Sequence, residues 1–403
     1  MNDVPLGNNI LQFPIVRSCP FTPPAEYTAL RAGSPIAKVA LPGDRVAWLV
    51  TKYDYVRRLL ADPRVSSDPM KPGFPSLVEG QQEVDKAGVL PWMDPPEHNL
   101  YRRTVVNEFT FRRIKAMRPY IQGIVDDCVT AILAKPGEAD LVQELGLIVP
   151  SLVICELLGV PYDDRAMFQQ RARTVVNRTV TAEEWAANLG DMRTYLADLV
   201  ERKSADLSED DLLTRLIVKF AENGLDDRNQ LIGLAVLLLI AGFETTASLI
   251  SLSAVVLLTH PDQLALLQAD PATAPAATEE LLRFISHADH VTHRAAIEDI
   301  EIDGLVIRAG EGILLSTAAG NHDPDVFEEP GTLDLARDSR HHLAFGYGIH
   351  QCIGQNLARL ELEVVLSTLF TRIPTLKLAL PVEELPFKRE TLIYGYDSVP
   401  VTW

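Results

Sequence analysis

The sequence predicts a mainly α-helical protein with small β-sheets near both ends of the chain. The first observation is an apolar-rich segment over residues 227–259, long enough for about 50 Å of helix at ~1.5 Å per residue. A helix that is apolar on most faces must be buried, so it crosses the core. The second observation is the helical spacing of apolar residues in most other segments. The third is the restriction of strand signals to short runs near the two ends.

The first half of the chain holds a hairpin and then helices. Ile36–Leu41 and residues 45–51 partly alternate between apolar and polar residues around a Pro-Gly-Asp turn, which predicts a β-hairpin. Residues 66–93 are broken by prolines and glycines, and so long an irregular stretch in a compact protein is usually functional or disordered. Residues 98–134 and 141–158 have helical patterns that end at Lys-Pro-Gly and Gly-Val-Pro.

The second half of the chain continues the helical pattern and ends in short strands. Residues 163–203 are helical but polar, and a helix over 212–223 precedes the long apolar helix. Apolar residues at helical spacing predict two further helices, over 271–285 and 355–372. The remaining predictions are short strands over 296–317, with a turn at Asp303-Gly304, and a strand pair in the tail that includes residues 392–394.

Composition, charge and cysteine content exclude several classes of protein. The 403 residues are 47% hydrophobic and 23% charged, an ordinary globular composition that excludes a disordered chain. With 37 basic and 55 acidic residues the net charge is −18, which argues against nucleic acid as the main partner because phosphate binding needs a basic face. The four cysteines form no CxxC pair and fit a reducing compartment.

No segment of the sequence predicts export or membrane insertion. The N-terminus lacks a basic region followed by an apolar core, so no signal peptide is evident. The longest apolar run, 231–243, ends at Glu244, well short of the ~20 residues that span a bilayer. No internal repeat, low-complexity segment or linker divides the chain. We therefore expect one domain over residues 1–403, in a monomeric cytoplasmic protein without a membrane partner.

The most informative stretch is the glycine-rich loop FGYGIHQCIG over residues 345–354, which precedes a predicted helix. Gly346 and its neighbouring glycines permit tight turns and a close approach of backbone to a flat ligand. Cys352 lies near the start of the helix, where the helix dipole and free N–H groups stabilise an anionic sulfur, either a nucleophile or a metal ligand. No second cysteine is near for zinc or iron–sulfur binding. A single axial thiolate to haem iron fits, with His350 contacting an anionic substituent.

This loop resembles the haem-thiolate signature of the cytochrome P-450 family, Phe-x-x-Gly-x-[Arg/His]-x-Cys-x-Gly. All fixed positions match, namely Phe345, Gly348, His350, Cys352 and Gly354. The resemblance implies haem b as the cofactor, Cys352 as the axial ligand of its iron, Phe345 close to the sulfur, and Gly346 close to the haem. It also implies the family's fold, with the long helix crossing the haem. In this family the thiolate donates electron density that favours O–O cleavage.

A second motif, Ala-Gly-Phe-Glu-Thr-Thr, lies in the middle of the long helix at residues 241–246. A glycine and a buried carboxylate are both unfavourable in a helix interior, so the motif marks either a packing kink or a groove for a small ligand. It resembles the family's oxygen-binding motif, [Ala/Gly]-Gly-x-[Asp/Glu]-Thr-[Thr/Ser]. The resemblance implies that Glu244 and Thr245 are the acid–alcohol pair that delivers protons. Leu238 and Ala241 are expected to face the substrate.

Cationic side chains are expected to bind the two haem propionates. The segment DPPEHNLYRR resembles the family's Asp-Pro-Pro-x-His-x-x-x-Arg pattern, which places His98 and Arg102 one helical turn apart. The usual arginine two residues after the histidine is replaced by Leu100, a position that is not a haem contact in the family. Arg294, which follows the Glu-x-x-Arg helix, and His350 complete the predicted set.

The spacing Glu280-x-x-Arg283 places opposite charges on one helix face. Alone this pattern predicts a surface ion pair. In the family it marks a buried structural pair whose third member precedes the cysteine loop, and Arg337 in Leu-Asp-Leu-Ala-Arg has the similar position. The resemblance assigns these three residues to folding and haem incorporation. Deleting one partner of such a pair costs ~3–5 kcal/mol.

Substrate determinants are expected in the broken stretch 66–93, in 165–200, in the middle of the long helix, and in 287–293 and 391–394. His287, His290 and His293 recur every three residues, so a metal site is an alternative to pocket lining. By resemblance this stretch passes over the haem, which favours pocket lining. The predicted pocket is mainly apolar and fits a large apolar molecule such as a macrolide; it consists of Phe74, Leu77, Leu90, Leu238, Ala241, His290, Val291 and Ile393.

The resemblance covers almost the whole chain and is greatest to soluble actinobacterial members that hydroxylate macrolides, other secondary metabolites, steroids and drugs. It implies a monooxygenase that inserts one atom of O2 into a largely apolar substrate, once or in sequence, in antibiotic biosynthesis or xenobiotic oxidation. A peroxide-dependent peroxygenase and a haem sensor or carrier without turnover are the alternatives. The intact oxygen motif, with Glu244 and Thr245, counts against both.

Electrons are expected from NAD(P)H through a ferredoxin reductase and a ferredoxin, because the chain contains no flavin or iron–sulfur domain. An acidic ferredoxin would dock on the cysteine side of the molecule. Arg359 and the basic cluster Arg112, Arg113, Lys115 and Arg118 are expected there. The alternative interpretation of this cluster is an ordinary solvated helix face.

Overall fold

The computed structural model of the protein describes residues 10–77 and 86–403, and helices predominate in it. The α-helices are α1 (Ala25–Gly33), α2 (Tyr53–Leu60), α3 (Glu97–Val106), α4 (Phe111–Ala116), α5 (Arg118–Leu133), α6 (Ile148–Leu158), α7 (Arg165–Val176), α8 (Ala182–Ala205), α9 (Leu212–Glu222), α10 (Arg228–Thr259), α11 (Pro261–Ala269), α12 (Ala274–Ile285), α13 (Thr317–Asn321) and α14 (Gln355–Arg372). The mainly helical prediction is confirmed.

The strands are short and form small sheets. They are β1 (Ile36–Leu41), β2 (Arg45–Val50), β3 (Val65–Ser66), β4 (Glu138–Asp140), β5 (His293–Ala296), β6 (Ile300–Ile302), β7 (Leu305–Ile307), β8 (Gly312–Leu315), β9 (Lys377–Leu378), β10 (Phe387–Lys388), β11 (Gly395–Tyr396) and β12 (Pro400–Thr402). The largest sheet has the order β1-β2-β8-β5-β3, in which only the β2–β8 pair is parallel. A second sheet has the order β4-β12-β9, and β6 with β7 and β10 with β11 form two hairpin-like pairs.

The predicted hairpin and the predicted long helix are both confirmed. β1 and β2 pair antiparallel with Ile36 opposite Val50 and Leu41 opposite Arg45. Helix α10 has 32 residues and is therefore about 48 Å long. Its first turn is capped by the Asp227 side chain, which accepts a hydrogen bond from a backbone N–H. It ends where Pro261 begins α11.

The core of the molecule is built around α10. It packs against α6, α7, α8 and α14, and α14 in turn packs against α5 and α12. Of the helices described, α10 alone has the length and hydropathy of a membrane span, but 72% of its most apolar stretch is buried inside the protein. Burial of that kind is typical of a core helix.

Several elements differ from their prediction in extent. The helical pattern over 98–134 is divided into α3, α4 and α5, because Thr110 is extended and Pro119 occupies the first turn of α5. The pattern over 163–203 is divided into α7 and α8 at a capping box that starts at Thr181. Helix α11 and a π-helical turn at Val142–Gly146 were not predicted.

The strand predicted over residues 392–394 is wrong in position. The strand lies at β11 and pairs with β10. The backbone N–H of Leu392 donates instead to Val176, and that of Tyr394 donates to His287, so these groups are not available for a sheet. Of the irregular stretch 66–93, residues 78–85 lie outside the described part of the chain.

Candidate active site

The cysteine loop folds back on itself just before α14. The backbone N–H of Cys352 donates to the carbonyl of Phe345 over 2.9 Å, and that of Gly346 donates to Leu343 over 2.8 Å. Gly346 and Gly348 have φ values of 69° and 75°, in the left-handed region that favours glycine. A Cβ at Gly348 would also lie 2.7 Å from a backbone oxygen of α2. The glycines of the motif therefore shape this loop.

Cys352 differs from the other cysteines in its surroundings. Cys128 and Cys155 are buried in helices, and burial raises the pKa of each to about 11. Cys352 keeps accessible surface, yet desolvation by the surrounding protein raises the pKa of its thiol. The N–H groups of residues 354 and 355 and the charges of Arg102 and Arg359 oppose that rise. These groups favour the anionic sulfur that binding to iron requires.

Arg359 supports the cysteine loop from the first turns of α14. Its guanidinium makes two contacts with Glu279, at 2.6 and 3.1 Å, and lies 4.5 Å from the ring centroid of Phe345. His342 also contacts Glu279, at 3.2 Å. Although burial opposes the change, hydrogen bonds from His342 and Arg359 lower the pKa of Glu279 to about 2. Arg359 thus pairs with Glu279 while 26% of its side chain stays exposed, and its place in a docking surface stays a prediction.

The four predicted propionate ligands lie around this loop. The rings of His98 and His350 are 4.3 Å apart. Arg102 donates to the carbonyl of Gln351 over 2.7 Å, which ties α3 to the cysteine loop. Arg294 is buried on β5 and donates to its neighbouring backbone carbonyl over 2.7 Å.

Three members of this group, Arg294, His98 and His350, are incompletely satisfied within the described residues. Arg294 makes no ion pair within the described part of the chain. Burial lowers the pKa of its guanidinium to about 10. The Nε2 atom of His98 and the Nδ1 atom of His350 are buried and have no hydrogen-bond partner. Burial also lowers the pKa of both histidines. An anionic ligand would pair with the Arg294 guanidinium and would favour a hydrogen on each unpartnered ring nitrogen, so the residues present fit a haem whose propionates they would bind.

The middle of α10 presents a small accessible surface. The helix continues without a break through residues 241–246, so the motif does not interrupt it. The Thr245 hydroxyl donates to the Ala241 carbonyl over 2.6 Å, and Ala241 is exposed although most of the helix is buried. A Cβ at Gly242 would lie 2.8 Å from Cδ1 of Ile154. Packing against α6 therefore accounts for the glycine, whereas Ala241 and Thr245 line accessible space.

Glu244 is buried among partners that the sequence motif does not reveal. Its Oε1 accepts a hydrogen bond of 2.8 Å from Lys388 on β10, and Arg173 on α7 lies 3.9 Å from Oε2. That Oε2 atom has no hydrogen-bond partner. His287 was considered above for a metal site, but its Nε2 lies 3.0 Å from the Thr245 carbonyl oxygen. The described residues contain no cluster of three potential metal ligands.

Glu280, Arg283 and Arg337 are brought together behind the cysteine loop. Arg283 contacts both carboxylate oxygens of Glu280 at 2.7 Å, and Arg337 lies 3.3 Å from one of them. Glu280 also accepts hydrogen bonds from the Ser339 hydroxyl and from the backbone N–H of Asp334. Glu280 and Arg283 have no exposed surface. The carboxylate thus ties α12 to the segment that precedes the loop.

The predicted pocket residues have different surroundings. Leu90 and Leu238 belong to the main core, and Leu77 packs against the core of the sheet containing β1 and β2. Two further members, Phe74 and Ile393, are buried. Ala241 and Val291 are exposed, Val291 to 49%. The side chain of His290 lies outside what the structure describes.

Comparisons with known proteins agree on one family. A cytochrome P450 family model matches residues 33–373. Cytochrome P450 105A3 of Streptomyces carbophilus is 47% identical over 393 residues, which cover 97% of this chain and 95% of that protein. Vitamin D3 dihydroxylase of Streptomyces griseolus is 46% identical over 395 residues, with coverage of 97% and 96%.

The solved structures agree as well. The mycinamicin VIII C21 methyl hydroxylase of Micromonospora griseorubida, bound to mycinamicin VIII, is similar with a TM-score of 0.93. It is 38% identical, and the match covers 98% of this chain and 100% of that one. The family model and both relatives extend over most of the chain and include the cysteine loop. The chain therefore belongs to the cytochrome P450 family of haem b-dependent monooxygenases.

Proposed function

We propose that the protein is a ferredoxin-dependent monooxygenase that inserts one atom of O2 into a large, mostly apolar substrate. The observation that carries this proposal is a set of incompletely satisfied side chains beside the cysteine loop. It consists of the buried Arg294 guanidinium, which makes no ion pair within the described residues, and the unpartnered ring nitrogens of His98 and His350. When bound there, haem supplies the iron that activates oxygen. Cys352 would hold the iron, and His98, Arg102, Arg294 and His350 would hold the propionates.

We assign proton delivery to Glu244 and Thr245. The Thr245 hydroxyl both donates and accepts hydrogen bonds, and it lies on the accessible face of α10. One oxygen of the Glu244 carboxylate contacts Lys388, and Arg173, which lies 3.9 Å from the other oxygen, keeps 35% of its side chain exposed. A buried carboxylate that contacts partly exposed cations and is next in sequence to the hydroxyl is suited to resupplying the proton that the hydroxyl gives up.

The substrate class is inferred from the relatives and from the pocket. The names of two relatives refer to vitamin D3 and mycinamicin VIII, and both of these molecules are large and mainly apolar. The exposed residues of the predicted pocket, Ala241 and Val291, are apolar as well. We propose tailoring of a macrolide or similar secondary metabolite, or oxidation of a xenobiotic, in the cytoplasm.

The docking surface for the ferredoxin is proposed on α4. Arg112 and Lys115 are exposed, Arg112 makes no ion pair within the described residues, and the neighbouring Phe111 is 68% exposed. The side chain of Asn356, at the start of α14, donates to the Phe109 carbonyl over 3.0 Å, so α4 adjoins the helix that follows the cysteine loop. A basic and apolar patch on an acidic protein suits an acidic partner.

Charge reversal tests this surface. In a variant with Arg112→Glu and Lys115→Glu we expect the rate of electron transfer from an acidic ferredoxin to fall about tenfold at low salt, because electrostatic steering is lost. Stopped-flow reduction of the haem-loaded protein measures that rate. Lys377→Glu on the exposed strand β9 serves as the control. An unchanged rate in the double variant would exclude docking on α4.

The carbon monoxide difference spectrum of the dithionite-reduced protein tests the central assignment. We expect a strongly red-shifted Soret band that Cys352→Ser abolishes and that Cys155→Ser, at a buried free cysteine, leaves unchanged. A band typical of histidine ligation would contradict the role of Cys352. Product formation with a ferredoxin system but not with peroxide alone then separates a monooxygenase from a peroxygenase, and no product with either indicates a sensor or carrier.

A further inference from the structure

His287 joins the loop after α12 to the middle of α10. It is 7% exposed, and its Nε2 lies 3.0 Å from the backbone carbonyl oxygen of Thr245. A carbonyl oxygen only accepts hydrogen bonds, so Nε2 must carry the hydrogen. Burial lowers the pKa of His287 to about 4, so the imidazole is neutral at neutral pH and keeps a single N–H to donate.

The backbone around His287 is held in place by two distant parts of the chain. Its carbonyl accepts a hydrogen bond of 3.0 Å from the N–H of Tyr394. The two preceding carbonyls, of Ile285 and Ser286, accept from the guanidinium of Arg17 over 2.9 and 2.8 Å. Arg17 has no exposed surface and lies 4.4 Å from the Tyr394 ring centroid. The imidazole therefore projects from a backbone that cannot shift easily.

Thr245 is consequently held at two atoms. Its hydroxyl donates to Ala241 one turn earlier, over 2.6 Å. A carbonyl oxygen has two lone pairs, so the carbonyl of Thr245 can keep its bond within α10 and still accept from His287. A turn of the Thr245 peptide would move the hydroxyl with it. Loss of the His287 contact would leave that peptide with its helical hydrogen bonds alone and would permit a small change in its orientation.

We propose that His287 is a positioning residue for Thr245, whose Nε2–H fixes the Thr245 peptide and thereby the direction of its hydroxyl. The inference rests on the proposed function, in which that hydroxyl delivers protons. His287 would then be one of the residues that set the geometry of oxygen activation, although it lies outside both α10 and the cysteine loop. The contact with Thr245 was not foreseen from the sequence, where the histidine spacing offered a metal site as an alternative to the favoured lining of the pocket.

The test compares two replacements of His287. His287→Leu introduces an apolar side chain of similar size and removes the hydrogen-bond donor. In His287→Gln the side-chain amide nitrogen can donate in place of Nε2–H. The measured quantity is the rate at which the reduced, haem-loaded protein is reoxidised by O2, followed by stopped-flow absorbance. This rate requires neither a known substrate nor a ferredoxin. Carbon monoxide difference spectra verify that each variant retains its thiolate ligand.

We expect His287→Leu to change the reoxidation rate about threefold to tenfold, in the direction that Thr245→Ala changes it, as suits the loss of one hydrogen bond. His287→Gln should stay within about twofold of the wild type, and the double variant His287→Leu, Thr245→Ala should match Thr245→Ala alone. Non-additivity of this kind is not expected of a residue that merely stabilises a loop.

Three results would overturn the inference. The first is a wild-type reoxidation rate in His287→Leu. The second is an equal change of the rate in the Leu and Gln variants. The third is a double variant in which the fold-changes of the two single variants multiply. If Thr245→Ala itself leaves the rate unchanged, the proposed role of Thr245 fails instead. Should His287→Leu not fold, ¹⁵N NMR of the wild-type holoprotein decides: an Nε2–H tautomer is required, and an Nδ1–H tautomer excludes the contact.

Discussion

At the scale of single residues, the candidate haem site contains buried polar groups that are incompletely satisfied within the described part of the chain. Arg294 is the clearest case, since it is buried, donates to the carbonyl of His293 and makes no ion pair among the described residues. A buried guanidinium without a carboxylate is costly in a folded protein unless a ligand supplies the negative charge. The same residue should therefore oppose the stability of the apoprotein and favour the retention of haem.

The variant Arg294→Met separates these two effects. We expect the free energy of unfolding of the apoprotein to rise by about 1–3 kcal/mol, because an uncompensated buried charge is removed. Haem loss should become about tenfold faster, because one propionate ligand is missing. Urea unfolding and haem transfer to apomyoglobin measure the two quantities. Arg308→Met, at an exposed arginine paired with Asp299, is the control. A destabilised Arg294→Met apoprotein would show that the charge is already compensated within the chain.

At the scale of elements, the first turns of α10 lie directly against the segment that follows residue 85. A Cβ at Gly233 would lie 1.7 Å from the backbone oxygen of Ala87, and a Cβ at Gly88 would lie 2.2 Å from a backbone oxygen of α10. The N–H of Gly88 also donates to the side chain of Gln230 over 2.6 Å. Two glycines therefore allow a backbone-to-backbone approach between the long helix and the predicted pocket wall.

Gly233→Ala should break this contact. We expect the free energy of unfolding to fall by about 2 kcal/mol or more, because the added methyl meets backbone rather than a flexible side chain. Gly190→Ala on α8 is a matched control, since nothing lies within 4 Å of its Cβ position, and it should gain up to ~1 kcal/mol from helix propensity. Urea unfolding measures both. Equal stabilities of the two variants would show that the segment moves aside freely.

At the scale of the whole molecule, buried neutral histidines set the response to acid. Burial lowers the pKa of His287 to about 4 and that of His322 to about 3, against ~6.5 in an unfolded chain. Below about pH 6.5 the unfolded state therefore binds more protons than the folded state, so stability is fully present above that pH and falls as the pH decreases. The two histidines together lower the free energy of unfolding by about 3 kcal/mol for each pH unit of acidification, down to about pH 4.

Urea unfolding between pH 7 and about pH 5 measures this slope. His322 contacts the Phe284 carbonyl at 2.9 Å, so His322→Gln keeps a donor and removes the titration. We expect that variant to lose about half of the pH dependence contributed by the pair. A slope unchanged in His322→Gln would mean that His322 is not neutral in the folded protein, or that other groups control acid unfolding.

Local patterns were sufficient to predict most of the architecture and the residue types of the candidate site. The hairpin of β1 and β2, the length of α10 and the cysteine loop depend on turn residues and periodicity within a short window of chain. Element boundaries were less predictable. The apolar pattern over 98–134 predicted one continuous helix, whereas Pro119 is accommodated as the start of a new helix, α5.

The sequence by itself determined the family and the cofactor and predicted the side chains for the chemistry, because each motif consists of closely spaced residues. Only the tertiary structure decided what surrounds them. The contacts of Lys388 with Glu244, of His287 with Thr245 and of Arg359 with Glu279 join residues that are 144, 42 and 80 positions apart. No local pattern records such pairs, since they depend on how the helices pack around α10.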